Sequence, residues 1–254
     1  MEHGALLAEG KTKIIYAHPS DETLALMAHK DGITAGDGAR RNVIAGKGAL
    51  SGRTAANVFA LLGNAGIATH FVAAPAADLT VVHRCAMIPL EVVNRRLATG
   101  SYLKRHPETA EGARFDPTLV EFFLKDDARH DPQVTPDEIA ALGLASAAEI
   151  DQIAAESRRV FAVIERAWAA QNVTLVDLKI EFGRDGAGAL LVADMIDNDS
   201  WRIWPAGDKA QMLDKQVYRN MPEVDDAGLA AIKVRYETVA ALTDGWRGAR
   251  DAAR

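Results

Sequence analysis

Strand-like and helix-like segments alternate along the chain and predict a mixed α and β fold, built as one large domain or two lobes. Three observations carry that expectation. Residues 173–183 (Val-Thr-Leu-Val-Asp-Leu-Lys-Ile-Glu-Phe-Gly) alternate polar and apolar side chains, and after a turn at 184–188 an apolar run at 189–196 reads as the returning strand. Residues 149–170 repeat apolar side chains at helical spacing, with Ile150, Ile153, Phe161, Ile164 and Trp168 on one stripe. With 254 residues, 48% of them hydrophobic, the chain can bury a sizeable core. Internal repeats and low-complexity tracts are absent.

The remaining elements follow from local chemistry. Gly10-Lys11-Thr12-Lys13-Ile14-Ile15-Tyr16 turns β-branched and aromatic, which favours a strand. Residues 23–29 read as a second strand, and the glycine-punctuated run 30–40 as a loop. Small and apolar residues at 48–62 predict a helix, stopped by Gly63, Asn64 and Gly66. Residues 67–73 return to strand. Pro89 and the segment after Gly100-Ser101 are candidate joints between lobes, and the alanine-rich tail predicts a last helix over 226–242.

Composition excludes several classes. The net charge of −6 argues against a dedicated nucleic-acid binder, which normally shows a basic balance. The single cysteine, Cys85, removes an internal disulfide framework and a cysteine-based zinc site, and fits a reducing compartment. No apolar run reaches bilayer-spanning length, so no membrane partner and a cytoplasmic setting are expected. The histidines at 70, 83, 106 and 130 lack metal-ligand spacing and are read as structural.

Gly10-Lys11-Thr12 resembles the end of a phosphate-binding P-loop, but that motif needs a glycine at position 5, where Ala5 stands, and a helix afterwards. The chain has barely begun, so no preceding strand is expected. On a strand from Lys11 onward, Lys11, Lys13 and Ile15 share one face. Two readings stay open from this stretch: a pair of ammonium groups gripping a polyphosphate, or a solvated edge strand whose lysines deter aggregation.

The same period-2 rule sets Asp177, Lys179 and Glu181 on one face of 173–183, opposite Val176, Leu178, Ile180 and Phe182. In a hairpin, Glu181 and Asp194 come near each other on strands about 4.8 Å apart. Close carboxylates repel unless a cation lies between them, and magnesium commonly takes one or two carboxylates plus phosphate oxygens. Lys179 would meet such a phosphate, and Asp177 could orient a nucleophile or hold the lysine. A cross-strand acid–lysine pairing explains one such pair, but not three aligned groups plus Asp194. Further on, Asp197-Asn198-Asp199-Ser200-Trp201-Arg202-Ile203-Trp204-Pro205 reads equally as an arginine fork for an anion or as a turn with arginine stacked on indole.

Taken together, Gly10-Lys11-Thr12-Lys13, Thr34-Ala35-Gly36-Asp37-Gly38, residues 91–101 (Glu-Val-Val-Asn-Arg-Arg-Leu-Ala-Thr-Gly-Ser), Lys125-Asp126-Asp127 and residues 175–183 resemble the SAICAR synthetase family, over roughly residues 6–220. Asn94-Arg95-Arg96 and residues 197–202 look like the animal-type branch, in a chain too short for the carboxylase domain fused there. The resemblance implies a two-lobed α+β fold: an N-terminal antiparallel sheet lobe at 1–88, a larger α/β lobe at 89–254, and an ATP cleft between them. It implies ATP-dependent joining of CAIR, a ribonucleotide carboxylate, to L-aspartate in de novo purine biosynthesis, with Mg²⁺.

By that resemblance Lys11, Lys13 and Lys125 contact ATP, and Met87, before Pro89, marks the hinge beside adenine. Glu181 and Asp194 match the metal carboxylates, and Lys179, with Asp177, the catalytic pair near the transferred phosphate. Arg95, Ser101, Asp199 and Arg202 match the CAIR pocket, with Asp37, Lys215 and Arg219 on the substrate side. A kinase-like phosphotransferase, a paralogue using another acid, and a non-catalytic nucleotide sensor are the alternatives. The sequence leaves the oligomeric state open, a homo-oligomer among the outcomes.

Overall fold

The computed structural model describes residues 2–36 and 38–248. Its N-terminal part is an antiparallel sheet with β1 (Leu6–Glu9), β2 (Lys13–Ala17) and β3 (Leu24–His29) at one side. A small hairpin, β4 (Gly32–Ala35) with β5 (Arg40–Val43), leads into helix α1 (Lys47–Asn64). Strands β6 (Phe71–Ala76) and β7 (Leu79–His83) complete the sheet in the order β1-β2-β3-β7-β6.

Two expectations change here, besides the run 30–40, which was read as a loop and carries β4. A strand does precede Gly10: β1 turns back through residues 10–12 onto β2, with the Gly10 N–H donating to the Lys13 carbonyl at 2.9 Å. Lys11 therefore sits in a hairpin turn rather than on a strand face beside Lys13. The sequence hid this because Leu6-Leu7-Ala8-Glu9 is too short and too exposed to alternate visibly. A P-loop is still excluded, since a strand follows the turn. The second change concerns 67–73, where the strand starts only at Phe71; the preceding residues bridge from Thr69 to Val192 in another sheet.

The second sheet follows β8 (Ala86–Met87) with β9 (Leu90–Leu97), short helix α2 (Ser101–Arg105), β10 (Arg114–Leu124) and β11 (Gln133–Val134). Helices α3 (Pro136–Ala141) and α4 (Ala147–Ala169) precede β12 (Val173–Arg184), β13 (Leu190–Ala193) and β14 (Trp201–Pro205). Seven strands form it, in the order β11-β10-β9-β12-β13, with β14 and β8 also pairing β12. Thus β12 is the spine: β9 and β14 flank its first part, β8 and β13 its last.

Helix α4 starts at a capping box. The Glu149 N–H donates to the Ser146 hydroxyl at 3.3 Å, and the Ser146 N–H to the Glu149 carboxylate at 3.0 Å. Its predicted stripe is buried, and Trp168 packs edge-on against Trp201 and Trp246 at centroid separations of 5.4 and 4.8 Å. Burying each such side chain stabilises the fold by about 1.5–3 kcal/mol. Short helix α5 (Gln216–Asn220) and the tail helix α6 (Asp226–Thr243) close the chain. The Asn57 amide of α1 donates to the Thr243 hydroxyl at 3.0 Å, tying α6 to α1. No helix among the described residues is long and apolar enough to cross a membrane.

Candidate active site

A cleft of about 570 Å³ opens between the β1–β2 turn and the polar face of β12. Lys11, Lys13, Arg95, Ser101, Lys125, Asp177, Lys179, Glu181, Asp194, Asp199, Arg202, Lys215 and Arg219 all line it. Met87 does not; it stands on β8 opposite Gly183 of β12, 44% exposed. A Cβ on Gly183 would lie 2.7 Å from the Cys85 Cβ and 3.1 Å from the Met87 Sδ, so glycine lets β8 lie close along β12. Asp37 lies outside the described residues.

The alternation on β12 survives in part. A bulge interrupts its pairing with β14 between Leu175 and Asp177, where Val176 is fully buried, and Asp177 and Glu181 are themselves buried. The polar face of β12 is therefore the wall of a cleft rather than a solvated surface.

Lysines gather at one end. Glu181 accepts from the Lys125 Nζ at 2.6 Å, and the Lys179 Nζ lies 3.5 Å from its other oxygen. Lys179 donates to Glu91 on β9 at 2.6 Å, and Lys13 pairs with Asp194. The β12–β13 register sets Glu181 opposite Ala193, leaving Asp194 one residue beyond the pair, at a φ of 66°. Burial pushes the Glu181 carboxyl upward, but Lys179, Lys125 and Lys13 outweigh it and hold it below its ordinary value. Burial lowers the Lys13 ammonium to about 8. Lys179 also feels burial, yet Glu91 and Glu181 keep it above the ordinary lysine value.

Arginines gather at the other end. Asp177 accepts from the Arg95 Nη1 at 3.1 Å and from Arg202 on β14, and does not hold Lys179. Arg95 also reaches Glu121 through Nε and the Ser101 hydroxyl at 3.3 Å. Gly100 has a φ of +58°, and a Cβ there would lie 2.7 Å from the Arg202 guanidinium, so this glycine makes room for the fork. The recess beside it is lined by Gly100, Ser101, Lys104, Arg202 and Arg219.

Between the two ends lies a cluster that the sequence reading left unassigned. Lys47, Ser51 and Asp197 line the cleft there, Glu91 lines its lysine end, and Tyr236 of α6 donates to Asp199. Lys47 and Ser51 come from the first turns of a helix read only as packing. Glu91 and Asp197 stood in quoted motifs without a role. One available signal was a lysine at a helix N-terminus with no acidic residue in the first turn, against the helix dipole.

Among the described residues no three or more histidine, cysteine or acidic side chains converge as a metal cage. Glu181 and Asp194 alone would be a poor all-protein site. They do suit a hard divalent cation that takes its other oxygens from phosphate and water, because Glu181 stays ionised despite burial.

The SAICAR synthetase family pattern matches residues 6–231. The chain is 71% identical over 246 residues to a phosphoribosylaminoimidazole-succinocarboxamide synthase of Roseiflexus sp. (strain RS-1), covering 97% of this chain and 99% of that protein. Two solved structures are similar. The phosphoribosylaminoimidazole-succinocarboxamide synthase of Ehrlichia chaffeensis has a TM-score of 0.85 and 29% identity, over 94% of this chain and 98% of its own. A type-2 SAICAR synthetase in complex with ADP has a TM-score of 0.84 and 33% identity, over 94% and 97%. The expected α+β fold of antiparallel sheets is the fold those structures share. The chain belongs to the SAICAR synthetase family.

Proposed function

We propose that the protein is the ATP-dependent ligase that joins CAIR to L-aspartate in de novo purine biosynthesis, giving SAICAR, ADP and phosphate. The observation that carries the reading is a single cleft with an ion-paired lysine cluster at one end and an arginine fork at the other. Two separate anionic groups can be held there at once. A phosphotransferase acting on a simple hydroxyl compound would use the lysine end and have no need of Arg95, Ser101 and Arg202.

In this reading Lys11, Lys13 and Lys125 receive the ATP phosphates, Met87 stands beside adenine, and Arg95, Ser101, Arg202 and Arg219 take the CAIR phosphate. Asp199 and Lys215 stand on the substrate side, where the motif resemblance alone also puts Asp37. The CAIR carboxylate oxygen attacks the γ-phosphorus, the bond to the β–γ bridging oxygen breaks, and ADP leaves. The aspartate amine then attacks the acyl carbon, the amide C–N bond forms, and phosphate departs while the amine loses its proton. Lys179 offers its ammonium to the transferring phosphoryl oxygens, exchanging them for Glu91 and Glu181. Asp177 fixes both arginines, so the CAIR carboxylate is presented in one orientation. Glu181 and Asp194 would hold Mg²⁺, which when bound supplies charge neutralisation on the phosphates.

Functionally the chain divides into residues 1–88, which supply Lys11 and Lys13, and 89–254, which supply Lys125, Lys179, the carboxylates and the arginine end, working as one unit. A reducing cytoplasm suits its single cysteine. The test is ADP release with Mg-ATP, CAIR and L-aspartate, each omitted in turn. Release requiring all three, with SAICAR formed in equal amount, supports the ligase. Aspartate-independent release would point to phosphoryl transfer without ligation.

A further inference from the structure

Lys47 is the least satisfied buried cation of the cleft. It is 1% exposed, and its ammonium lies 3.4 Å from the Ser51 hydroxyl, 4.0 Å from an Asp199 oxygen and 4.9 Å from the centre of the Tyr236 ring. None of these is a full charge-assisted hydrogen bond. Asp199 attracts Lys47 but stands 4.0 Å away, while its closer donors are Lys215 at 2.8 Å and the Tyr236 hydroxyl. Asp197 is likewise engaged, by the Asp199 N–H at 2.9 Å and by the Ser51 hydroxyl. Lys47 is also the first residue of α1, where the helix dipole disfavours a cation. Burial and dipole both act against this ammonium, and an anion in the cleft would relieve both.

The neighbours decide which anion. A phosphate dianion would meet the buried Asp197 and Asp199 carboxylates at close range. An amino acid carries carboxylate and ammonium on one small skeleton, matching a chamber where Lys47 and Lys215 alternate with Asp197 and Asp199. We infer that Lys47, with Ser51, receives a carboxylate of the amino-acid co-substrate, whose ammonium faces Asp197 and Asp199, and that Tyr236 is a positioning residue holding Asp199 in place. The inference rests on the ligase reading above and assigns the seat of its amine donor. It also gives α6 a role: a residue outside the cleft wall sets the geometry inside it.

The test compares wild type with Lys47→Met, which keeps the buried stem and removes the charge, measuring KM separately for aspartate, CAIR and ATP. Lys47→Met should raise the aspartate KM about 10- to 100-fold, with CAIR and ATP changed less than about threefold. Tyr236→Phe, which keeps the ring under Lys47, should raise the aspartate KM alone, by roughly three- to tenfold. An unchanged aspartate KM, or an equal rise for all three substrates, overturns the inference. Should Lys47→Met fail to fold, Ser51→Ala carries the same comparison, with a rise of roughly threefold or more confined to aspartate. The wild type separates the two failures. No aspartate-dependent SAICAR from the wild type sinks the ligase reading, whereas an active wild type with an aspartate-indifferent Lys47→Met sinks this inference alone.

Discussion

The two ends of the cleft are built by different physics. At the lysine end, Lys13, Lys125 and Lys179 sit on long flexible stems and rest on Asp194, Glu181 and Glu91. In the proposed reaction each ammonium would leave its carboxylate for a phosphate oxygen, and Glu181 and Asp194 would then be free for a metal ion. At the arginine end, the Arg95 and Arg202 forks are pinned by the buried Asp177, and Arg95 again by Glu121. A planar guanidinium fixed on one edge presents its other edge in a set direction. The proposed chemistry needs exchangeable partners at the first end, and fixed aim at the second.

Five experiments would break or sharpen that contrast. The largest effect is expected at the exchange end. Asp194→Asn should lower magnesium-dependent kcat on the order of 100-fold or more while the circular dichroism stays that of the wild type. Normal turnover would remove Asp194 from the metal site.

Next comes Asp177→Asn, which strips the charge that pins both arginines. It should destabilise the protein by about 3 kcal/mol in urea unfolding, because two guanidinium groups lose a buried counter-charge. A stability loss as small for Asp177→Asn as for an exposed acid would mean the arginines are not pre-set.

Arg202→Ala should raise the CAIR KM about 10- to 100-fold and the ATP KM far less. Gly100→Ala should move the same parameter in the same direction by a smaller factor, since the added methyl displaces Arg202 rather than deleting it. An equal rise for ATP would erase the distinction between the ends.

The smallest effect is a pH dependence. Lys13, lowered by burial to about 8, is charged below that pH and neutral above it in the empty site. Its folded pKa lies below the ordinary 10.5, so burying its charge costs stability below about 8, and that cost is relieved as pH rises toward 10.5. ATP affinity should move the opposite way, weakening above about 8 by at most tenfold per pH unit, with proton uptake on binding. Calorimetry in buffers of different ionisation enthalpy reads that uptake; its absence would leave Lys13 out of phosphate binding.

Legibility from sequence followed the range of the interactions. The α4 stripe and the 175–183 strand were visible because each is a local period with a strong apolar half. The neighbourhood of Glu181 and Asp194 was visible because one short hairpin joins them. Lys11 was misplaced because β1 is exposed and four residues long, too short to show a period. Ser51 and Tyr236 were unreadable as site residues, and Lys47 carried only the mark of a cation at a helix N-terminus. A serine inside a helix, and a tyrosine in an alanine-rich tail, carry no local mark of what they face.

What the sequence alone determined is therefore a partial inventory: the strongly periodic elements, the acid–base–acid row on one strand face, and the family its motifs spell. Only the tertiary structure decided the pairings. Arg95, Asp177 and Arg202 meet because β9 and β14 flank β12 in a register that no local pattern encodes. Tyr236 reaches Asp199 because α6 folds back beside α1. Electrostatic partnership depends on distances of a few ångströms between groups far apart in the chain, and such distances are fixed by packing of the whole.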